Sequence, residues 1–157
     1  MNRSLTVRPA LTALALATAA IAAAVISASA QARPAERWLP IAPRDAAHGA
    51  MALNLNSLRP AAQKGLDEAT ALEVTDARTA SLVAWEVRCG RGTLHPLERR
   101  PVDPKSGQIG PATAVGAEFA KPLGQGEEWV LEIVCRPNSA GGHVFADRRA
   151  VIWSLSH

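Results

Sequence analysis

The N-terminal segment constrains this 157-residue chain more than any other feature, because it decides which part folds and in which compartment. Arg3 and Arg8 give the segment a positive start, and the residues from Ala10 to Ile26 are almost entirely apolar and rich in alanine. A positive start, a short apolar run and a border of small residues are the three parts of a secretory signal peptide. The sequence therefore predicts a cleaved signal peptide over residues 1–32.

Two triplets of small residues mark where signal peptidase would cut. Ala28-Ser29-Ala30 and Ala30-Gln31-Ala32 both place small side chains at alternate positions, as the shallow pockets of that enzyme require. We predict a cut after Ala30 or Ala32 and favour Ala32, because the composition turns polar at the next residue. The alternative is an uncleaved membrane anchor, but the alanine-rich run is at the short limit for crossing about 30 Å of hydrocarbon.

Cleavage would leave one exported domain of residues 33–157, with a core over about 38–136 and a C-terminal extension over 137–157. We expect this domain in the periplasm, secreted or at the cell surface, with no membrane span. The leader carries two of the 17 basic residues and none of the 14 acidic ones, so the remaining domain has 15 basic residues and a net charge of +1. A charge so close to zero gives no electrostatic reason to expect nucleic acid or an anionic membrane as partner.

Cys89 and Cys135 are the only cysteines, so a single intramolecular disulfide can form. Paired cysteines outside the cytoplasm persist as disulfides. The bridge would close a loop of about 47 residues, which the chain-entropy model values at roughly 4 kcal/mol. No Cys-x-x-Cys occurs and no histidine lies at metal-ligand spacing from either cysteine, so we predict a structural bridge rather than a redox or zinc site.

Alternation of apolar and polar residues predicts several short antiparallel strands. The clearest predicted strand covers residues 78–89, where Cys89 shares one face with Val83, Trp85 and Val87. Gly90-Arg91-Gly92 predicts a turn, and residues 93–99 are predicted to form a return strand that Pro96 makes bulged or places at an edge of the sheet. Weaker strand patterns cover residues 38–41, 50–56, 108–109 and 113–119, whereas residues 57–68 and 101–107 are predicted to be a loop and a turn. The predicted fold class is α+β and β-rich: a small antiparallel sheet, one or two short helices and one disulfide.

Two C-terminal segments and the four tryptophans carry further predictions. Residues 129–135 fit a strand and a helix equally well, because seven residues do not separate the two periods. Residues 149–153 form a last apolar element with Val151 and Trp153 on one face. Trp38, near the start of the domain, is predicted to be partly exposed. The tryptophans predicted to lie in the core are Trp85, Trp129 and Trp153.

One arrangement of these segments resembles a known family. A Trp-x-Pro-Ile at Trp38 precedes a short strand that ends near Ser57, and a second strand, Trp85-Glu86-Val87-Arg88-Cys89, runs into the first cysteine. A glycine-rich stretch over 122–129 then leads to Cys135. This order resembles the bacterial surface-adhesin protein E family over roughly residues 38–136.

The resemblance implies an antiparallel sheet, a C-terminal helix that holds the second cysteine, and an adhesive role. The chain departs from the family at Met51-Ala52-Leu53, where the family tends to have Tyr-x-Asp, and in the extension after Cys135. The ligand-binding residues of the family do not transfer to identifiable positions here.

No catalytic, metal or cofactor motif is found in the sequence. There is no Gly-x-Ser-x-Gly, and the glycine-rich turns lack the lysine of phosphate loops. Glu127-Glu128 is predicted to be a solvated helix start. Arg99-Arg100 and Arg148-Arg149 are predicted to be exposed turn residues, with contact to an acidic surface such as lipopolysaccharide as the alternative. The histidines, too far apart in sequence to form a metal motif, are His48, His95, His143 and His157.

These observations predict an exported, non-catalytic binding or interaction domain of the bacterial envelope, which the resemblance makes adhesin-like. One alternative is an accessory structural protein of the envelope. Another is an enzyme or enzyme inhibitor with an unrecognised site. No cofactor is expected, the predicted partner is an unknown protein or envelope component, and the sequence does not specify the oligomeric state.

Overall fold

The computed structural model describes residues 36–45, 47–116 and 118–157. All of these residues belong to the compact unit Arg33–His157. The predicted signal peptide and its cleavage positions, Ala30 and Ala32, lie outside the described residues. Neither helix of the described region combines the length and the apolar character that a membrane crossing needs.

The described residues form one antiparallel sheet of seven strands, in the order β1-β2-β4-β5-β6-β7, with β3 pairing the start of β4. The strands are β1 (Trp38–Ala42), β2 (Ala50–Asn54), β3 (Arg59–Pro60), β4 (Asp67–Asp76), β5 (Thr79–Arg88), β6 (Thr93–Val102) and β7 (Thr113–Ala114). Two α-helices follow, α1 (Gln125–Cys135) and α2 (Arg148–Ser156), and short 3₁₀ turns cover Leu55–Ser57 and Pro137–Ser139. This architecture confirms the predicted fold class.

β4 lies at the centre of the sheet and has no counterpart among the predicted strands. It pairs with β2 on one side and with β5 along nearly its whole length on the other. Ala71, Leu72, Glu73 and Val74 are all buried, so both faces of the strand are covered and the usual apolar–polar alternation is absent. The charged Glu73 within this otherwise apolar run makes the strand still harder to recognise from the sequence.

Each face of the sheet is covered by one helix. The α1 face holds the larger cluster of buried residues, including Leu53, Val83 and Val87, against Val130 and Ile133 of α1. The opposite face, the α2 face, packs a second cluster against Val151 and Ile152 of α2; its strand residues include Ala52, Leu72, Val74 and Leu82. The segment after Cys135 therefore supplies one of the two layers that cover the sheet.

α1 settles the ambiguous segment 129–135 as a helix. The helix begins four residues earlier, at Gln125, and its buried residues are Gly126, Glu127, Val130 and Ile133, which follow the helical period. The first of these is a glycine because a Cβ there would lie 2.1 Å from Sδ of Met51, so the helix approaches β2 closely. At its other end, Cys135 forms the predicted disulfide with Cys89, whose Cα lies 5.4 Å away.

α2 corrects the strand-like interpretation of residues 149–153. Asp147 is the N-cap, its side chain accepting a hydrogen bond from the Arg149 N–H at 2.9 Å. In the helix Val151 and Ile152 turn inward together, whereas Trp153 points away and is 68% exposed. The prediction that Trp153 lies in the core with Val151 is therefore wrong.

Of the other tryptophans, only Trp85 is where it was predicted, 3% exposed on the α1 face. Trp129 is 40% exposed because it lies beside the buried stripe of α1 rather than in it. Trp38 is 1% exposed, which contradicts the predicted exposure. It is enclosed by the chain after Cys135: its backbone pairs with Phe145, and Arg148 lies 5.7 Å from the centre of its ring.

The two edges of the sheet are short or interrupted. On the outer side of β1, Trp38 exchanges both backbone hydrogen bonds with Phe145. By alternation the next residue facing outward is Pro40, which has no N–H to offer. On the other side, residues 109–120 run beside β6 but pair with it regularly only in β7. The predicted irregularity near Pro96 is confirmed as a register shift between β5 and β6.

Candidate functional site

The part of the α2 face that α2 leaves uncovered forms an open groove with a volume of about 560 Å³. It lies across β4, β5 and β6 and is bordered by β3 and β7. The lining residues are Ser57, Arg59, Glu68, Ala69, Thr70, Ala84, Trp85, Leu97, Glu98, Ala112 and Ala114. A concavity of this size is large enough to receive a small ligand or one side chain of a partner.

The floor of the groove is low because its central side chains are small. Thr70 on β4 pairs directly with Ala84 on β5, which pairs in turn with Glu98 on β6, so the three share the α2 face. Further along the same strands the corresponding positions are Leu72 and Leu82, which α2 covers. The change from leucine to alanine and threonine is what opens the groove.

The walls of the groove carry charges of both signs. On the β3 side, Nε of Arg59 donates to Oε2 of Glu68 at 2.6 Å. On the β6 side, Nε of Arg100 donates to Oε1 of Glu98 at 2.8 Å. Arg59 and Glu68 are cross-strand neighbours, and Glu98 and Arg100 are two residues apart on β6. Both ion pairs are at least partly solvated, so each contributes little to the stability of the fold. Their charges remain accessible to a ligand.

Ser57 also lines the groove, and its hydroxyl forms hydrogen bonds with two backbone groups. Its Oγ accepts from the Thr70 N–H at 2.7 Å and donates to the Asn54 carbonyl at 2.7 Å. These two bonds hold the turn Leu55–Ser57 against β4. A hydroxyl fixed in this way is a structural bridge rather than an activated nucleophile.

An aromatic stack continues the α2 face beyond the groove. The ring of Phe119 lies between the imidazole of His95, with a centroid distance of 4.1 Å, and the guanidinium of Arg88, 3.7 Å from the ring centre. Nε2 of His95 is in turn 3.0 Å from Oε2 of Glu86, its cross-strand neighbour. The stack fixes the chain on the outer side of β6.

A second polar cluster lies on the α1 face, buried at the start of α1. His48, in the loop between β1 and β2, places Nε2 3.0 Å from Oε1 of Glu127 and Nδ1 3.6 Å from Oε1 of Glu73. The other oxygen of Glu73, Oε2, is 2.6 Å from Nη1 of Arg99. The prediction that Glu127 is solvated is wrong, whereas its neighbour Glu128 is exposed.

Glu127 is buried because it belongs to the start of the helix. Its Oε2 accepts from the Leu123 N–H at 2.7 Å, so the side chain reaches back over the first turn as in a capping box. Gly124, the N-cap residue, has no side chain to contribute. Asp45 replaces it, because its Oδ2 accepts from the Gln125 N–H at 2.9 Å.

The Asp45 carboxylate also accepts hydrogen bonds from backbone groups within the β1–β2 loop. Its Oδ1 accepts from the N–H groups of His48 and Ala47, each at 2.8 Å. The backbone N–H of His48, followed by that of Ala47, lowers the pKa of the Asp45 carboxyl below its ordinary value, and the Gln125 N–H acts in the same direction. One carboxylate thus ties the β1–β2 loop to α1.

The remaining predicted site residues are engaged with neighbours. Arg99 and Arg100 belong to the pairs with Glu73 and Glu98 described above, and Arg149 pairs with Asp147 at 3.1 Å. Arg148 pairs with Glu36 and donates to the Gly107 carbonyl at 2.8 Å. His143 meets Phe145 edge-on and His157 lies beside Trp153. Arg99, Arg100 and Arg149 are exposed, as predicted, whereas Arg148 is half-buried. The predicted placement of the two pairs in turns is wrong, because they lie on β6 and α2.

Over the described ranges, no group of three or more His, Cys, Asp or Glu side chains is arranged to hold a metal ion. His48 and its two carboxylates could not be found from sequence, because the three residues come from the β1–β2 loop, β4 and α1. Nothing in the sequence near Thr70 and Ala84 indicates a groove either, since small residues in strands are common.

In comparisons with known proteins, no family model, no curated protein and no solved structure matches this chain.

Proposed function

We propose that this chain is an exported, non-catalytic binding domain of the bacterial envelope, and that the groove on the α2 face receives its ligand. The observation that carries the proposal is the groove itself, about 560 Å³ with a floor of small side chains and walls of opposite charge. Such a surface offers shape and polar contacts but, in its lining, no activated nucleophile.

Two further features support the exported, adhesin-like part of the proposal. The Cys89–Cys135 bond suits an oxidising compartment outside the cytoplasm. An antiparallel sheet followed by a helix that holds the second cysteine is also what the resemblance to the surface-adhesin protein E family implies. Membership of that family and location at the periplasm or cell surface belong to this proposal.

The groove can be tested by filling it. In Ala84→Phe the new ring would occupy the floor between Thr70 and Glu98, whereas Ala77→Phe places the same ring in the exposed turn at the far end of the β4–β5 hairpin. Both variants and the parent are measured by biolayer interferometry against immobilised extracellular-matrix proteins and lipopolysaccharide. We expect binding to at least one probe, weakened about tenfold or more by Ala84→Phe only, since a blocked central contact typically costs about 1.4 kcal/mol or more.

Equal binding by the two phenylalanine variants would remove the groove from the proposal, and no binding to any probe would argue against the adhesin-like role. The second candidate, an accessory structural protein of the envelope, predicts instead a stable partner from the same cell. Affinity purification from periplasmic and outer-membrane fractions, with Ala84→Phe and Ala77→Phe as paired baits, separates the two.

A further inference from the structure

A second concavity, with a volume of about 300 Å³, lies at the end of the sheet where the loop before β4 meets the β5–β6 turn. Three basic side chains line it: Lys64 in the loop, Arg88 at the end of β5 and Arg91 in the turn. None of the described residues of its lining is acidic. This concavity, the basic pocket, concentrates positive charge at one end of a domain whose net charge is only +1, and it is just large enough for a small ligand.

The basic side chains of this pocket lack the carboxylate partners that several other arginines of the domain have. Within the described residues, no carboxylate forms an ion pair with Lys64, Arg88 or Arg91. The arginines elsewhere that do pair with a carboxylate are Arg59, Arg99, Arg100, Arg136, Arg148 and Arg149. An anion can therefore enter the basic pocket without breaking an internal ion pair.

Arg88 is held in place without being neutralised. Its guanidinium lies over the ring of Phe119, 3.7 Å from the ring centre, and the same ring stacks on His95. The neighbouring carboxylates on β5 and β4 face other groups, because Glu86 lies against His95 and Asp67 belongs to the α1 face. A guanidinium stacked on a ring keeps its N–H edge for an anion, and its fork matches two oxygens of a phosphate group.

The backbone around the basic pocket is fixed and leaves the pocket open. In the turn, the Arg91 N–H donates to the Arg88 carbonyl at 3.1 Å, and Nζ of Lys121 donates to the Arg91 carbonyl at 2.8 Å. In the loop, Gly65 has a φ of 83°. A Cβ added at Gly65 or at Gly90 would have no atom within 4 Å, so neither segment closes the pocket. Lys121 adds a fourth positive charge beside the turn.

We propose that the basic pocket binds a phosphate monoester, with the fork of Arg88 on two phosphate oxygens and with Lys64 and Arg91 balancing the remaining charge. A phosphate monoester carries about −1.5 to −2 charges at neutral pH, so three cations match it better than they match a single carboxylate. The same group occurs on small soluble molecules and on lipid headgroups. The pocket shares no lining residue with the groove on the α2 face, so the two sites are independent.

The test measures the affinity for glycerol phosphate by isothermal titration calorimetry in about 0.1 M salt, where distant charges are largely screened, with glycerol as the uncharged control. In Lys64→Gln/Arg91→Gln we expect binding weaker by about tenfold or more, since hydrogen bonds to charged groups contribute at least that much. Arg78→Gln/Lys105→Gln removes the same charges from exposed turns outside the pocket and should bind as the parent does. Urea midpoints equal to that of the parent show that both variants are folded.

Two further probes identify the source of the phosphate. Binding of inorganic phosphate as tight as that of glycerol phosphate would make the free ion the ligand. Flotation with vesicles of phosphatidic acid in phosphatidylcholine, but not with pure phosphatidylcholine, would make it a lipid headgroup. The proposal is overturned if no phosphate probe binds, if both double variants lose affinity equally, or if Ala84→Phe, which fills the groove, is the variant that loses it.

Discussion

At the scale of single residues, Asp45 shows how one side chain can replace a missing cap. The N-cap position of α1 is Gly124, whose Cβ, if present, would lie 2.5 Å from Oδ2 of Asp45. The glycine therefore makes room for a carboxylate that comes from about 80 residues earlier in the sequence. This carboxylate completes the helix start and orders the β1–β2 loop at the same time.

The stability of the domain should depend on the ionisation of Asp45 in acid. Its pKa is lowered in the folded protein, so the carboxylate contributes stability above the unfolded value of about 3.9, and this contribution is lost as the pH falls through the folded pKa. In Asp45→Asn a single amide oxygen cannot accept all three N–H groups. We expect a lower urea midpoint than the parent at pH 6 and a smaller decrease between pH 5 and pH 3.

The pKa values of Asp76, Asp103 and Asp147 are also lowered, each chiefly by a backbone N–H close in sequence, so some acid dependence should remain in Asp45→Asn. If the parent and Asp45→Asn lose the same stability over this range, the carboxylate of Asp45 has no special part in holding α1.

At the scale of elements, α2 decides how the second face of the sheet is covered. Its inward stripe consists of Val151 and Ile152, with Leu155 one turn later. Adjacent residues can both point inward in a helix but not in a strand. The strand-like pattern therefore places Trp153 in the core and Ile152 outside, whereas the helix buries Ile152 and exposes Trp153.

A pair of alanine substitutions distinguishes these surroundings. Ile152→Ala removes a side chain that is 2% exposed and should cost about 2–4 kcal/mol in the free energy of unfolding. Trp153→Ala removes a larger side chain that is mostly solvated and should change the same quantity by about 0.5 kcal/mol or less. Chemical denaturation measures both. A larger loss for Trp153→Ala than for Ile152→Ala would contradict the helical register.

The sequence was informative where neighbouring residues decide the structure. The β5 strand, the Gly90–Gly92 turn and the irregularity near Pro96 all follow from local alternation or backbone restriction. It was uninformative where burial comes from distant segments. β4 loses its alternation because both faces are covered, and Trp38 is enclosed only because Phe145 and Arg148 return to it. The His48 cluster and the groove are of this second kind, since each joins residues from at least three elements.

At the scale of the whole molecule, the disulfide and α2 fix opposite layers. Cys135 attaches the end of α1 to the end of β5, whereas α2 depends on packing and on the Glu36–Arg148 pair near the start of β1. The first and last described segments of the domain therefore meet, and neither can be removed without exposing apolar residues of the sheet.

Intact-mass and N-terminal analysis of the protein from its native host tests the predicted maturation. We expect a chain that begins at Arg33, or at Gln31 for the other cleavage position, and a mass about two units below that of the reduced chain because the disulfide removes two hydrogens. Measurement with and without a reductant gives the control. An intact Met1 would contradict export with cleavage, and two free thiols in the periplasmic or secreted fraction would contradict the structural bridge.

The short and interrupted edges of the sheet have a consequence for crowded conditions. A long, regular edge invites strands of neighbouring molecules to add by backbone hydrogen bonding, which is how sheets grow into fibrils. Here one edge meets Phe145 and then Pro40, and the other ends in the two residues of β7. Molecules of this domain can therefore lie densely side by side with little tendency to polymerise through their sheets.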